Sequence, residues 1–292
     1  MFNISLKHKH LNTPVSSVNV VKVNGRNVEN DSDLVVREEP LEIRLKYNDG
    51  GYFREQRLAV TMRTPGHDFE LCIGFLISEG IIGSYTDVQK IFYCESVKSK
   101  EEEGNVIIVH LVEEKVLDHK VFNRNFYVSS SCGVCGKSSI ESVNKLCKVS
   151  WDNNEPGIDP ELIHRIPELA RKGQQLFKHT GGLHASALFD SKGELLMIRE
   201  DIGRHNALDK IIGARSIEEQ DNSDCLIFVS GRAGFELIQK SMAGNIPVMI
   251  AVGAPSSLAV QLALDNNLTL IGFARNEKFN IYSGAQRVNP KK

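Results

Sequence analysis

Two cysteines spaced by two residues, Cys132 and Cys135, stand in the run Ser129-Ser-Ser-Cys-Gly-Val-Cys-Gly-Lys137. A serine-rich run with two glycines does not make a packed strand, so it reads as a loop. From Lys137 to Cys147 the chain reads as a short helix, with Ile140, Val143 and Leu146 on one stripe. The pair therefore stands just before a helix N-terminus. Backbone N–H groups and the helix dipole favour an anion there, and Lys137 adds a positive charge, so a thiolate forms more readily.

Three chemistries use such a pair. A thiolate can attack a donor persulfide, take its outer sulfur and become Cys–S–SH, with the second cysteine assisting release by forming a disulfide with the carrier. A closed zinc site usually takes four ligands, often two such pairs. One pair is present, so Cys147, a histidine or a second protomer would have to complete the set. A thioredoxin-type dithiol normally follows a first βαβ strand, whereas the segment before this loop is polar. The residues alone leave the three open.

Further along lie polar clusters where strands should end. They are Thr180-Gly-Gly-Leu-His184, Arg199-Glu-Asp-Ile-Gly-Arg-His-Asn206, Ser230-Gly231-Arg232, Ala254-Pro-Ser256-Ser257 and Phe273-Ala274-Arg275-Asn276-Glu277-Lys278. In an α/β sheet, ligands bind outside the carboxyl ends of the strands. Three clusters open helices, so backbone donors should face any anion there. Arg204, Arg232 and Arg275 add forked donors suited to phosphate. Each cluster alone is an ordinary capped loop; together they point to a phosphate-bearing ligand. Asp201 and His205, four apart across a helix start, read either as an acid–base pair or as an N-terminal Asp beside a capping or ligand-binding His. His67 reads as a first-turn surface residue. His8, His10, His110 and His119 show no metal-ligand spacing with one another.

The elements that must position these residues fall into two parts, 15–128 and 129–286. In the first, Ser17–Val23 alternates as a strand before an Asn24-Gly25 turn signal. Leu41–Tyr47 and Arg57–Met62 read as a hairpin across Asn48-Asp-Gly-Gly51. Thr64 reads as the N-cap of a buried helix, with Pro65 in its first turn and Gly80 as its close. Val88–Cys94 and Val106–Val112 make a second strand pair, split by Glu101-Glu-Glu103. In the second part a helix runs from Asp159-Pro160 to about Phe177, kinked or restarted at Pro167. Strands Leu183–Phe189 and Glu194–Arg199 flank the Asp190–Gly193 turn. Helix Gly203–Ile212, strand Cys225–Val229, helix Phe235–Ala243, strand Val248–Val252, helix Ser256–Leu264 and strand Thr269–Phe273 follow. Such alternation implies a parallel or mixed sheet covered on both faces, an α/β protein.

With 292 residues, 41 % hydrophobic and 25 % charged, the composition is that of a soluble globular protein able to bury a sizeable core. The net charge of −2 gives no reason to expect wholesale nucleic-acid or membrane-surface binding. No apolar run approaches a membrane span, and Met1–His10 lacks the apolar stretch of an export signal, so the cytoplasm is the expected compartment. Four of the six cysteines, Cys72, Cys94, Cys147 and Cys225, lie in apolar or amphipathic segments and read as core filler.

Seven motifs in order resemble the formate dehydrogenase accessory sulfurtransferases. They are Thr64-Pro-Gly66 with Leu71–Ile82, Ser130–Lys137, Thr180–His184, Arg199–Ala207, Ser230–Arg232, Ala254–Leu258, and Gly272–Arg275 with Asn280–Tyr282. The resemblance implies a cytoplasmic homodimer with a cytidine-deaminase-like second part, preceded by a smaller sheet-plus-helix domain. It implies a carrier that takes sulfur from a cysteine desulfurase. The sulfur would pass to the molybdenum of a bis-guanine-dinucleotide molybdopterin cofactor, with formate dehydrogenase as client. The persulfide would fall on Cys132, with Cys135 beside it, and the cofactor contact on Phe273 to Lys278. Arg204, His205, Ser230, Gly231, Arg232 and Ser256 complete the expected cofactor site. No metal is expected on the chain itself, since the H-x-E and P-C-x-x-C of zinc deaminases are missing and Ser131 stands where the proline would be. One local departure is His67, where many relatives carry an acidic residue.

Overall fold

A computed structural model describes residues 13–117, 126–128, 151, 157–275 and 277–288. Cys132, Cys135 and the helix expected from Lys137 to Cys147 lie outside the described residues, as does Asn276.

The chain opens with an antiparallel ribbon of β1 (Val15–Asn24) and β2 (Asn27–Val36), turned by Gly25 at φ 63°. The composition of β2, NVENDSDLVV, does not predict a strand, being rich in residues that disfavour one. The Asn-Gly turn and ten paired positions impose the strand instead.

A five-stranded sheet follows, in the order β5-β6-β3-β4-β7. Its strands are β3 (Glu39–Asp49), β4 (Tyr52–Arg63), β5 (Val88–Tyr93), β6 (Val106–Leu111) and β7 (Phe126–Val128). Strict alternation puts Leu41, Ile43, Leu45 and Tyr47 on the buried face of β3. Against that face lies α1 (Asp68–Ser78), buried from Leu71 to Ser78. This helix starts later than the sequence implied. Its N-cap is His67, in the left-handed region at φ 59°, and not Thr64. The Thr64 hydroxyl is used elsewhere, accepting from Ile202 N at 3.1 Å.

The second part holds α2 (Pro160–Gly173), α3 (Gln175–Thr180), β8 (His184–Phe189), β9 (Leu195–Asp201), α4 (Arg204–Ile217), β10 (Leu226–Val229), α5 (Phe235–Ala243), β11 (Val248–Ala251), α6 (Ser257–Asp265), β12 (Thr269–Arg275) and β13 (Lys278–Ser283). The six strands form one sheet in the order β13-β12-β11-β10-β8-β9. Strands β10, β11 and β12 are parallel and the other pairings antiparallel, so the sheet is mixed. The short β13 lies beyond the strands expected from the sequence; it returns as a hairpin partner of β12. Every residue of β10 and β11 is buried, as expected of strands covered on both faces. Among the described residues, no helix is long and apolar enough to cross a membrane.

The two parts meet where α1 crosses α4, and both contribute to one core cluster running from Leu41 to Leu270. The crossing is close because each helix presents a glycine. A Cβ on Gly74 would stand 1.8 Å from the Asp209 carbonyl oxygen, and one on Gly213 would stand 1.8 Å from that of Glu70. Ion pairs flank the contact. Arg199 grips Glu70 through Nε and Nη2 at 2.6 and 2.9 Å. The buried Lys240 reaches both oxygens of Asp209, which also accepts from Ser78 Oγ at 2.7 Å.

Candidate functional site

Because β10, β11 and β12 run parallel, the loops after them emerge along one edge of the sheet. Backbone bonds continue the ladder past the strand ends: Gly253 N donates to Gly231 O at 3.0 Å, and Phe273 N to Gly253 O at 3.2 Å. Glycine is needed at position 253, where the loops crowd. A Cβ on Gly253 would lie 2.9 Å from Arg232 Cγ and 3.1 Å from Gly231 O. A Cβ on Gly231 would lie 3.5 Å from His184 Nδ1 and 3.8 Å from Arg204 Cδ. The Ser-Gly-Arg loop, the start of β8 and the start of α4 therefore converge.

Asp201, fully buried at the end of β9, fixes the start of α4. Its Oδ1 accepts from Gly203 N at 2.8 Å and Asn206 Nδ2 at 3.0 Å. Its Oδ2 accepts from Thr64 N at 3.1 Å and pairs with Lys210 Nζ at 2.8 Å. Asp201 is thus an anchor for the helix N-terminus and does not pair with His205. His205 turns instead to α5, where Nε2 meets Glu236 Oε2 at 2.9 Å.

Of the expected site residues, Arg204, Gly231 and Arg232 stand together with His184. Burial pushes the His184 pKa down, the Arg204 and His205 charges push the same way, and Asp201 opposes them. The imidazole is therefore neutral at neutral pH beside a permanent cation. Arg204 is half-buried, and its Nε is buried with no partner among the described residues. A buried guanidinium N–H left unbonded is costly, and an anionic ligand would satisfy it.

The serines are partly committed. Ser230 Oγ accepts from Ala185 N at 2.9 Å, and Ser256 Oγ caps α6 by accepting from Ala259 N at 3.2 Å. Each keeps a hydroxyl proton to donate. Phe273 is held at φ 55° where the β12–β13 pairing shifts register, and it is exposed while Ala274 turns into the core. A bulge of this kind re-aims a side chain. Arg275, Glu277 and Lys278 are exposed around the hairpin turn beyond it.

His184 belongs to this site, as its polar cluster implied; Glu236 and Gly253 also belong to it and were not among the expected residues. His184 had a signal in its glycine-rich approach, Gly181-Gly182. Gly253 and Glu236 had none, since their place depends on strand pairing and helix contact.

Residues 36–289 match the FdhD/NarQ family. The chain belongs to that family. It is 44 % identical over 273 residues to the sulfur carrier protein FdhD of Streptomyces avermitilis, covering 92 % of this chain and 94 % of the relative. It is 40 % identical over 275 residues to the protein of the same name from Saccharolobus solfataricus, covering 94 % and 98 %. Among solved structures it is similar to a Desulfotalea psychrophila protein provisionally assigned as a formate dehydrogenase accessory protein. That match has a TM-score of 0.71 and 21 % identity, covers 94 % of this chain and 99 % of the other, and supports the fold.

Proposed function

We propose that this chain is a sulfur carrier for the maturation of formate dehydrogenase, acting through a persulfide on Cys132. The observation that carries the reading is identity of 40 % or more, over nine-tenths of the chain, to proteins named sulfur carriers. The thiolate of Cys132 attacks the outer sulfur of a desulfurase persulfide. A sulfur–sulfur bond forms on Cys132, the donor's bond breaks, and the donor leaves as a thiolate. Attack of Cys135 on the inner sulfur then releases the outer sulfur as hydrosulfide for the molybdenum of the bis-guanine-dinucleotide cofactor, here the substrate; the cysteine pair supplies the two electrons and is left as a Cys132–Cys135 disulfide, which a cellular thiol reductant reopens.

Two physical observations support the reading. Cys72 and Cys225 are poor nucleophiles, since burial first, and a nearby aspartate second, push Cys72 well above its ordinary pKa and Cys225 up to about 12. The unbonded Arg204 Nε, the exposed Arg232 and the glycine-lined loops suit the diphosphate of a guanine dinucleotide. In this reading the mixed sheet is a cytidine-deaminase-like scaffold reused without zinc. The protein acts in the cytoplasm as a homodimer, with a cysteine desulfurase and the formate dehydrogenase apoenzyme as its partners.

The test is peptide mass spectrometry under non-reducing conditions after incubation with a desulfurase and cysteine. One added sulfur on Cys132 is the expected result. Label on Cys135 alone would reverse the assignment, and label on neither would return the pair to a metal or redox role. A cofactor chaperone with a structural cysteine pair is the competing reading; it would still activate the client as Cys132→Ala.

A further inference from the structure

The outer face of the five-stranded sheet carries a feature that sulfur transfer does not use. Lys46 on β3 pairs in register with His110 on β6, and His110 pairs with Lys90 on β5. Three basic residues therefore stand in one row across three neighbouring strands, about 4.8 Å apart from strand to strand, and the row continues on β4 with Glu55 opposite Lys46. Like charges set directly across a sheet destabilise it. His110 responds to that cost. Burial first, then Lys46 and Lys90, lower its pKa, and its Nε2 is buried with no partner among the described residues.

The lysines face aromatic rings. Lys46 Nζ stands 5.8 Å from the centre of Phe53, and Lys90 Nζ 4.8 Å from that of Phe92. Among the described residues neither lysine forms an ion pair with a carboxylate. Phe53 meets His110 edge-on at 4.7 Å and, with Tyr52, is exposed at the tip of the β3–β4 hairpin. The next row, Arg44–Ile108–Phe92, borders a cavity of about 370 Å³ that Lys90, Glu55 and Glu95 also line. Arg44 differs from the lysines in being paired with Glu42 and Glu55.

The geometry points to a docking surface for an extended, acidic segment of a partner protein, seated on the Lys46–His110–Lys90 row with an apolar side chain against Phe53 or Phe92. Charge complementarity selects this occupant. The outer strands of the row are about 10 Å apart. Carboxylates two residues apart in an extended chain lie about 7 Å apart, within reach of both flexible lysine heads. The open sheet face does not enclose a small ligand, as a pocket for one would. Glu55 and Glu95 in the cavity wall disfavour charge concentrated at one point, as in a diphosphate, whereas an extended peptide spaces its carboxylates and can set one on each lysine. Exposed aromatics beside the charges are the usual anchors of protein interfaces.

The experiment titrates the full chain against a fluorescein-labelled octapeptide, Ser-Glu-Phe-Glu-Ser-Glu-Phe-Glu, by fluorescence anisotropy. Saturable binding is expected, weakened at least tenfold on raising salt from about 50 to about 300 mM. The double variant Lys46→Gln/Lys90→Gln should weaken it at least tenfold and melt close to the parent, because glutamine sets no like charge opposite Glu55. No saturable binding by the parent, or equal binding by the variant, would overturn the proposal. Displacement by equimolar pyrophosphate would make the row a general anion site, which also overturns it. Parent-only self-association in sedimentation, with the peptide inert, would assign the face to a second copy instead. GDP binding by the same variant reads the other site separately, so failure here is distinguishable from failure of the sulfur-carrier reading.

Discussion

The glycine-to-carbonyl contacts between α1 and α4 predict a large effect from one methyl group. In Gly74→Ala the new Cβ would meet a backbone oxygen at 1.8 Å, and no rotamer change relieves a backbone clash. Restoring ordinary contact requires the helices to part by about 1.5 Å at that point. A helix of 11 residues is about 16 Å long and 10 Å wide, so uniform separation would open about 250 Å³. At about 24 cal/mol per Å³ that costs roughly 6 kcal/mol, and a tilt that opens one end only costs about half. Alanine's better helix propensity returns about 1 kcal/mol. The net loss should be about 2–5 kcal/mol, which lowers Tm by about 5–15 °C. Urea unfolding followed by circular dichroism measures it. Gly83→Ala is the control, because its φ is not in the left-handed region and a Cβ there meets only Asp87 Oδ2, at an ordinary 3.7 Å; it should match the parent or exceed it by up to about 1 kcal/mol. A loss below about 1 kcal/mol for Gly74→Ala would refute the close-contact argument.

Asp201→Asn should cost about 3–5 kcal/mol, because it leaves Lys210 charged and buried, and urea midpoints at pH 7 would show it. GDP at about 100 times its Kd should stabilise the protein by roughly 2.7 kcal/mol, and a melt showing no shift would count against the arginine-bearing loops. Arg275→Lys should weaken that binding while leaving persulfide loading intact, since lysine replaces a fork with a point charge. Burial pushes the Glu70 carboxyl up, but bonds from His67 and Arg199 outweigh it and hold the pKa below the ordinary value. A depressed carboxyl contributes stability above its unfolded pKa and loses it as pH falls through the folded one. Glu70→Gln should therefore shrink the loss of stability between pH 6 and pH 3, read as the difference between two urea midpoints.

Most of the strand–helix alternation was legible because it rests on local periodicity. Leu41 to Tyr47 alternates, and Leu226–Val229 is a short apolar run between turn signals; both are strands. The misses have physical causes. β2 is a polar strand, and β13 a short one of six residues; each is delivered to its partner by a tight turn. Thr64 looked like a cap because capping residues are recognised by type, but its hydroxyl and N–H serve a strand end more than 130 residues away. Arg204 and Arg232 were expected from their loops as candidate phosphate donors, and the structure brings those loops together. Their approach to His184, and the His205–Glu236 contact that turns His205 toward α5, depend on strand order, which the sequence does not spell out.

The contact between α1 and α4 also bears on how the chain is made. Gly74 leaves the ribosome long before Gly213. At about 5–20 residues per second, the roughly 140 residues between them take about 7–28 s to synthesise. Through that interval α1, buried in the finished protein from Leu71 to Ser78, lacks the helix that covers its glycine face. The first sheet can form around it, but the Gly74 side stays open until α4 arrives. A nascent chain of this protein therefore displays an apolar helix for many seconds, the kind of surface that chaperones hold and that aggregation exploits.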